Sequence, residues 1–404
     1  MHRRSFLHTL GAAGAALGWS GRLLAAPQTG SRLLFVFLRG AYDGMSLLVP
    51  SASSYYREVR PNIAIPLAAP GLAGALALNS DWALHPALEN SVYPLVQARQ
   101  AAFIPFAGTD DASRSHFETQ DSIELGQNLA GRRDFGSGFL NRLAQQMRGR
   151  DAIAFTDQLP LILRGSLGVA NQSLKTLPKA ADARLRQSVA EMYRGQPLQS
   201  RVDEAFAVRD EVVRDMASGM GGELGSEMLS SGRNAVNAKG FELEARRIAK
   251  LMRERYSLGF VDVGGWDTHV GQGAASGYLA SRLEELGRGL AAYGDELGES
   301  AWRDTVVVVV SEFGRTMKEN GNRGTDHGHG TVYWVLGGSL AAGPVVGEQQ
   351  AIEAGSLFQG RDLPVRNEYR ALLGGLFKRQ FGLSAAALAE VFPGGPSPLD
   401  LGLI

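Results

Sequence analysis

Thr305-Val-Val-Val-Val-Val-Ser-Glu-Phe-Gly-Arg-Thr316 is the stretch on which the fold turns. An unbroken run of valines has high strand propensity and packs poorly as a lone helix. With no polar alternation, it reads as a strand buried on both faces, as in parallel sheets. Other runs repeat the pattern. Leu33–Leu38 is a second buried strand, Ala101–Phe106 a third, Leu258–Val263 a fourth and Val332–Leu336 a fifth, with weaker candidates at Asp151–Phe155 and Leu161–Arg164. Tyr278–Leu297 and Tyr369–Phe381 carry helical periodicity. Strands alternating with helices predict an α/β architecture, a mainly parallel sheet sandwiched by helices. From about 181 to 256 charges recur every few residues among apolar positions at helical spacing, which predicts a helical insertion. The rest of 27–404 reads as a single domain.

Composition narrows the function. The 404 residues hold 41 Lys+Arg and 41 Asp+Glu, so broad attraction to nucleic acid or anionic lipid is not the expected activity. Cys is absent, which excludes disulfides, thiolate metal sites and a Cys nucleophile. Any metal must therefore sit on Asp, Glu and His. The chain opens with Arg3-Arg4-Ser-Phe-Leu7, a short Gly/Ala-rich run and small residues at Ala25-Ala26. This layout is that of a secretory signal over residues 1–26, and the paired arginines resemble a twin-arginine signal. It predicts export to the periplasm through the twin-arginine machinery, with no membrane span in the mature chain.

Polar groups cluster beside the apolar runs. Asp43 follows Leu33–Leu38, Ser113, Ser115 and His116 follow Ala101–Phe106, Asp267 and His269 follow Leu258–Val263, and Glu312 follows the valine run. Asp326, His327 and His329 lie in the Gly-rich Thr325-Asp-His-Gly-His-Gly330, just before Val332. Ligands of open α/β sheets bind outside the carboxyl ends of strands, so these groups can converge there. Imidazole and carboxylate suit a divalent ion, Zn²⁺ or Mn²⁺ first. Asp43, Asp267, His269, Glu312, Asp326, His327 and His329 are the candidate ligands. Glycines 328 and 330 are expected to let the backbone bend. Arg315 can pair with Glu312 or contact an anion. Ser115, His116 and Glu118 open a helix. There the serine is either a cap or, with His116, part of a catalytic helix start, and Ser113 is the competing hydroxyl. His85 has no neighbouring partner and reads as a packed residue.

Together LLFVFLRGAYDG, RSHFETQD, GGWDTH, VVVVVSEFGRT and TDHGHG resemble the bacterial family called domain of unknown function 1501, from about Arg32 to Phe381. The resemblance implies an alkaline phosphatase- and sulfatase-like fold. It implies Asp43, Asp267, His269, Glu312 and His327 or His329 as metal residues and Ser115 or Ser113 as nucleophile. Two departures stand out. Phe313 occupies the place of a second ligand His, and Asp267 and His269 are spaced more closely than the corresponding phosphatase pair. The leading expectation is a secreted metal-dependent hydrolase of small anionic phosphate or sulfate esters. The alternative is a non-catalytic periplasmic binding or assembly protein on a degenerate hydrolase fold. A metal-free serine hydrolase built on Ser115, His269 and Asp326 lacks the Gly-x-Ser-x-Gly elbow.

Overall fold

The computed structural model describes residues 30–69, 74–131, 133–147, 151–174, 189–200, 202–203, 206, 236–238 and 240–404. The signal segment and most of the expected helical insertion lie outside them. The valine run forms β10 (Thr305–Ser311) near the middle of a nine-stranded sheet. Beside it runs β1 (Arg32–Leu38), followed by β9 (Leu258–Gly264), β6 (Ala152–Ala154) and β7 (Ala170–Asn171), with β8 (Val236–Asn237) also pairing β9. On the other side lie β11 (Thr331–Leu336), β5 (Ala101–Gly108) and β12 (Asn367–Glu368). Three two-residue strands, β2 (Leu48–Val49), β3 (Leu76–Ala77) and β4 (Ala83–Leu84), form a separate small sheet.

Every pairing in the main sheet is parallel except those of β11, which is antiparallel to both β10 and β5. That reversal has a simple cause. No crossover helix separates β10 from β11, so the chain loops out at the carboxyl edge over 312–330 and returns directly. The expected strand at Leu161–Arg164 is instead a 3₁₀ turn, Leu161–Leu163. Pro160 enters it in extended geometry and the turn is buried beneath a helix N-terminus.

Strand side chains alternate between two apolar layers. Leu34, Val36, Val307 and Val309 enter one; Leu33, Phe35, Phe37, Val306, Val308 and Val310 enter the other. Nine helices have both ends among the described residues: α1 (Gly44–Leu47), α2 (Ser54–Val59), α3 (Val92–Gln97), α4 (His116–Leu125), α5 (Phe139–Gln146), α6 (Phe241–Glu254), α7 (Tyr278–Arg303), α8 (Tyr369–Phe381) and α9 (Ala385–Val391). The first layer is covered by α6 and α7, through Ile248, Met252, Leu286, Leu290 and Tyr293. The second is covered by α5, α8 and α9, through Phe139, Leu143, Leu373, Phe377 and Val391. Burying each such side chain stabilises the fold by about 1.5–3 kcal/mol. Both faces are therefore sealed, and polar chemistry is confined to the sheet edges. Among the described residues no helix is long and apolar enough to cross a membrane.

Candidate metal centre at the carboxyl edge

Four loops meet beyond the carboxyl ends of β1, β5, β9 and β10. His116 opens α4 after β5, Asp267 and His269 follow β9, Glu312 and Arg315 follow β10, and His327 lies in the return loop before β11. Gly40, just past β1, adopts φ +117°, and a Cβ there would stand 3.0 Å from the Asp267 amide nitrogen. The β1 and β9 loops can approach this closely only because the side chain is absent. In the His-Gly-His segment the glycine acts differently from the expected bend, since Gly328 has no positive φ. A Cβ on Gly328 would lie 2.5 Å from the Arg315 carbonyl carbon, so the requirement is close approach of two strands of the loop.

The loops deliver three imidazole Nε2 atoms to one point. His116 Nε2 and His269 Nε2 lie 3.0 Å and 3.1 Å from His327 Nε2. Asp267 joins them: its Oδ1 is 3.0 Å from His269 and 3.6 Å from His327, and its Oδ2 is 3.6 Å from His116. His116, Asp267 and His327 form a compact ligand trio, with His269 at its side.

Each ring is held by its far nitrogen. His116 Nδ1 faces Glu312 at 2.8 Å, His327 Nδ1 faces the Arg114 carbonyl at 3.0 Å, and His269 Nδ1 faces Asp326 at 3.3 Å. All three partners are acceptors, so the neutral imidazoles carry their proton on Nδ1 and turn Nε2 lone pairs towards one another. Acceptors so placed orient metal-bound histidines. Ligands about 2.0–2.1 Å from a tetrahedral Zn²⁺ stand about 3.3 Å apart, so these residues fit a small divalent cation.

In the metal-free protein a proton takes that place. Burial penalises the charged His116, but hydrogen bonds to Asp267 and Glu312 outweigh it and push its pKa up to about 9. Burial pulls the Asp267 carboxyl up, yet His116, His327 and Arg315 hold it well below its ordinary value. Glu312 is likewise lowered, against burial, chiefly by His116.

Several expected ligands sit elsewhere. Asp43 caps α1 and is locked to Arg60, with Nη1 2.5 Å from Oδ2 and Nη2 3.1 Å from Oδ1. Ser46 and Gln272 donate to it as well. Glu312 is buried behind His116, and its Oε1 also accepts from the Gly40 amide and from Gln120. It orients a ring rather than facing the centre. Asp326 holds His269 and accepts from Asn320. His329 packs on the Phe358 ring with centroids 4.7 Å apart. Ser115 caps α4, accepting from the Glu118 amide at 3.5 Å, while its own amide donates to Ser113 Oγ. His85 is buried, with Nδ1 accepting from the Ala87 amide.

Arg315 is fully engaged. Its Nε donates to the Ala41 carbonyl. Its Nη2 reaches the Gly40 carbonyl at 2.7 Å and Asp267 Oδ1 at 2.5 Å, and its Nη1 reaches the Thr325 carbonyl at 3.2 Å and His269 Nε2 at 3.4 Å. Phe313 is buried and lies 5.0 Å and 5.1 Å, centroid to centroid, from His116 and His327. It forms an apolar wall where a second ligand histidine was expected.

Sequence reasoning did not single out Gln120, Gln272, Arg60, Arg114 or Asp362. Gln120 alone had a local signal, since it stands one helical turn after His116 on the same face.

Fold and site thus define an α/β protein with a histidine- and aspartate-rich centre at the carboxyl edge of its sheet. The chain belongs to the family described as protein of unknown function DUF1501, whose model matches residues 30–392. No curated protein matches the sequence. Among solved structures, the chain is similar to a protein of the alkaline phosphatase superfamily from Vibrio parahaemolyticus. The identity is 11%, 83% of this chain and 69% of that chain are covered, and the TM-score is 0.36. It is also similar to a phosphonate monoester hydrolase of Agrobacterium radiobacter, at 13% identity over 90% of this chain and 78% of that chain, with a TM-score of 0.33.

Proposed function

We propose that the protein is a metal-dependent hydrolase of small phosphate or sulfate esters, with Zn²⁺ or Mn²⁺ as its cation, exported to the periplasm by the twin-arginine route. The observation that carries the reading is the convergence of three Nε2 lone pairs on Asp267, each ring fixed through Nδ1 by an acceptor. Such a centre suits hard-to-borderline divalent cations with nitrogen and oxygen ligands. His116, His327 and Asp267 would hold the cation, with His269 as the further ligand. When bound, it would polarise an ester oxygen and lower the pKa of a water nucleophile.

The chain's own part is positional. Glu312 and Asp326 keep His116 and His269 in the ligating tautomer, Arg315 holds Asp267, and Phe313 shields one side of the two central rings from water. Arg361, half-exposed beside His327, supplies positive charge at the rim for an anionic ester. The Arg3-Arg4 signal layout supports export.

The test is elemental analysis and turnover of the exported protein with aryl phosphate and aryl sulfate. The expected result is bound metal, with turnover lost on chelation and in His327→Ala. A folded protein that takes up no metal and turns over neither ester overturns the reading in favour of a binding or assembly protein.

A further inference from the structure

The geometry points to Asp362 as a positioning residue that sets His327 through two arginines. Its buried carboxylate uses its two oxygens on different partners. Oδ2 accepts from Arg114, with Nε at 2.9 Å and Nη2 at 2.6 Å, while Oδ1 makes an ion pair alone, 3.1 Å from Arg361 Nε and without a hydrogen bond. Each arginine then holds one end of His327. The Arg114 main-chain carbonyl accepts from His327 Nδ1 at 3.0 Å, and Arg361 Nη2 donates to the His327 carbonyl at 3.0 Å.

The Arg114 backbone gives independent support. Its φ is +56°, in the left-handed region that a non-glycine residue rarely enters. Such a conformation persists only where surrounding contacts over-determine it, and it gathers at functional sites. Here the contacts are the forked ion pair to Asp362 and the Phe358 ring, 5.7 Å below the guanidinium. The left-handed turn is what aims the Arg114 carbonyl at the imidazole. None of these residues reaches the ligand point itself, so their effect on it passes through the tautomer and tilt of His327. Outer partners of this kind commonly tune metal affinity by 10–100-fold.

The inference rests on the metal-centre reading, and its test separates the two. Zinc affinity is measured by chelator competition on the full chain, alongside nitrogen-15 spectra of the histidine rings in metal-free protein. Asp362→Asn is expected to weaken zinc binding about tenfold or more and to change the His327 ring signals, leaving those of His269 in place. Arg114→Gly covers the case in which Asp362→Asn fails to fold, because glycine enters φ +56° without strain. Removing the guanidinium leaves Asp362 facing Arg361 alone, so this variant is expected to melt below the parent while still folding, and to lose about tenfold in zinc affinity. Zinc affinity and His327 signals unchanged in both variants overturn the inference. If the parent takes up no zinc, the metal-centre reading falls, and the His327 signals of the two variants still decide whether Asp362 sets the ring.

Discussion

Replacing Glu312 with glutamine isolates one charge at the centre. The carboxylate is fully buried. Its Oε1 accepts from the Gly40 amide at 2.8 Å, from His116 Nδ1 at 2.8 Å and from Gln120 Nε2 at 2.9 Å, while its Oε2 accepts from Ser311 Oγ at 2.9 Å. Glutamine has the same shape. Placed with its carbonyl oxygen at Oε1, it keeps all three donors there. Its amide then donates to Ser311 Oγ, whose hydroxyl turns to the Leu38 carbonyl 2.7 Å away. The network survives, so Glu312→Gln is expected to cost only about 1 kcal/mol of folding stability. What disappears is the negative charge behind His116. That charge helps raise the pKa of His116, and it makes Nε2 a better ligand. Zinc affinity is expected to fall about 10–100-fold, or about 1.4–2.7 kcal/mol. Chelator competition measures the affinity, and urea denaturation of the metal-free protein measures the stability. Zinc affinity equal to the parent's, in a folded variant, would refute the assignment of Glu312 as the group that tunes His116.

Arg60→Ala leaves Asp43 buried and charged with only Ser46, Gln272 and a backbone amide for partners. It is expected to cost about 3–5 kcal/mol in urea denaturation, and a loss under 1 kcal/mol contradicts the buried-pair reading. Gly328→Ala forces a Cβ to within 2.5 Å of the Arg315 carbonyl carbon, so it is expected to lower the melting temperature and to weaken zinc uptake together. Stability of the metal-free protein should also depend on pH from both sides. Asp43, Asp267 and Glu312 have folded values below their ordinary 3.8 to 4.5, so their contribution is full above that range and is lost as pH falls below it towards the folded values. His116 is raised from 6.5 to about 9, so its contribution is full below 6.5 and is lost as pH rises towards 9. Chemical denaturation from pH 3 to 10 with a chelator present checks this, and equal stability at pH 6 and pH 9 contradicts the His116 assignment.

The long strands were legible because burial on both faces leaves uninterrupted apolar runs, whereas the two-residue strands carry no such run and Leu161–Leu163 forms a 3₁₀ turn. The direction of β11 was not legible, since direction depends on which edge the preceding loop leaves from. That point matters to the site. The segment 325–330 precedes its strand, whereas the other candidate segments follow theirs, and only the antiparallel return brings His327 to the shared edge. Spacing within a segment carried Asp267 with His269, and the helix start carried His116. Spacing could not separate a ligand from the residue that orients it. Glu312 and Asp326 read as ligands because a carboxylate at a strand end looks alike in both roles. Asp43 read as a ligand because Arg60, its partner, lies 17 residues away with no periodic signal to connect them. Asp362 is farther still from Arg114, at 248 residues.

Arg315 shows why such sites resist reading from sequence. A lone arginine three residues past Glu312 suggests an anion-binding group, and a guanidinium has five donors with which to serve that role. Here all five are taken. Two point to the carbonyls of Gly40 and Ala41 after β1, one to the Thr325 carbonyl, one to Asp267 and one to His269. The side chain thus ties the β1 turn, the β9 loop and the return loop to β10. The positive φ of Ala41, +53°, and of Gly40, +117°, turns both carbonyls inward to meet it. Paired charge of this kind in a closed setting stabilises geometry more than it attracts a ligand. Asp267 is thereby held by one oxygen, and its other oxygen faces His116. The arginine therefore acts on the centre through the carboxylate it grips, as a group that fixes loops rather than one left open to a ligand.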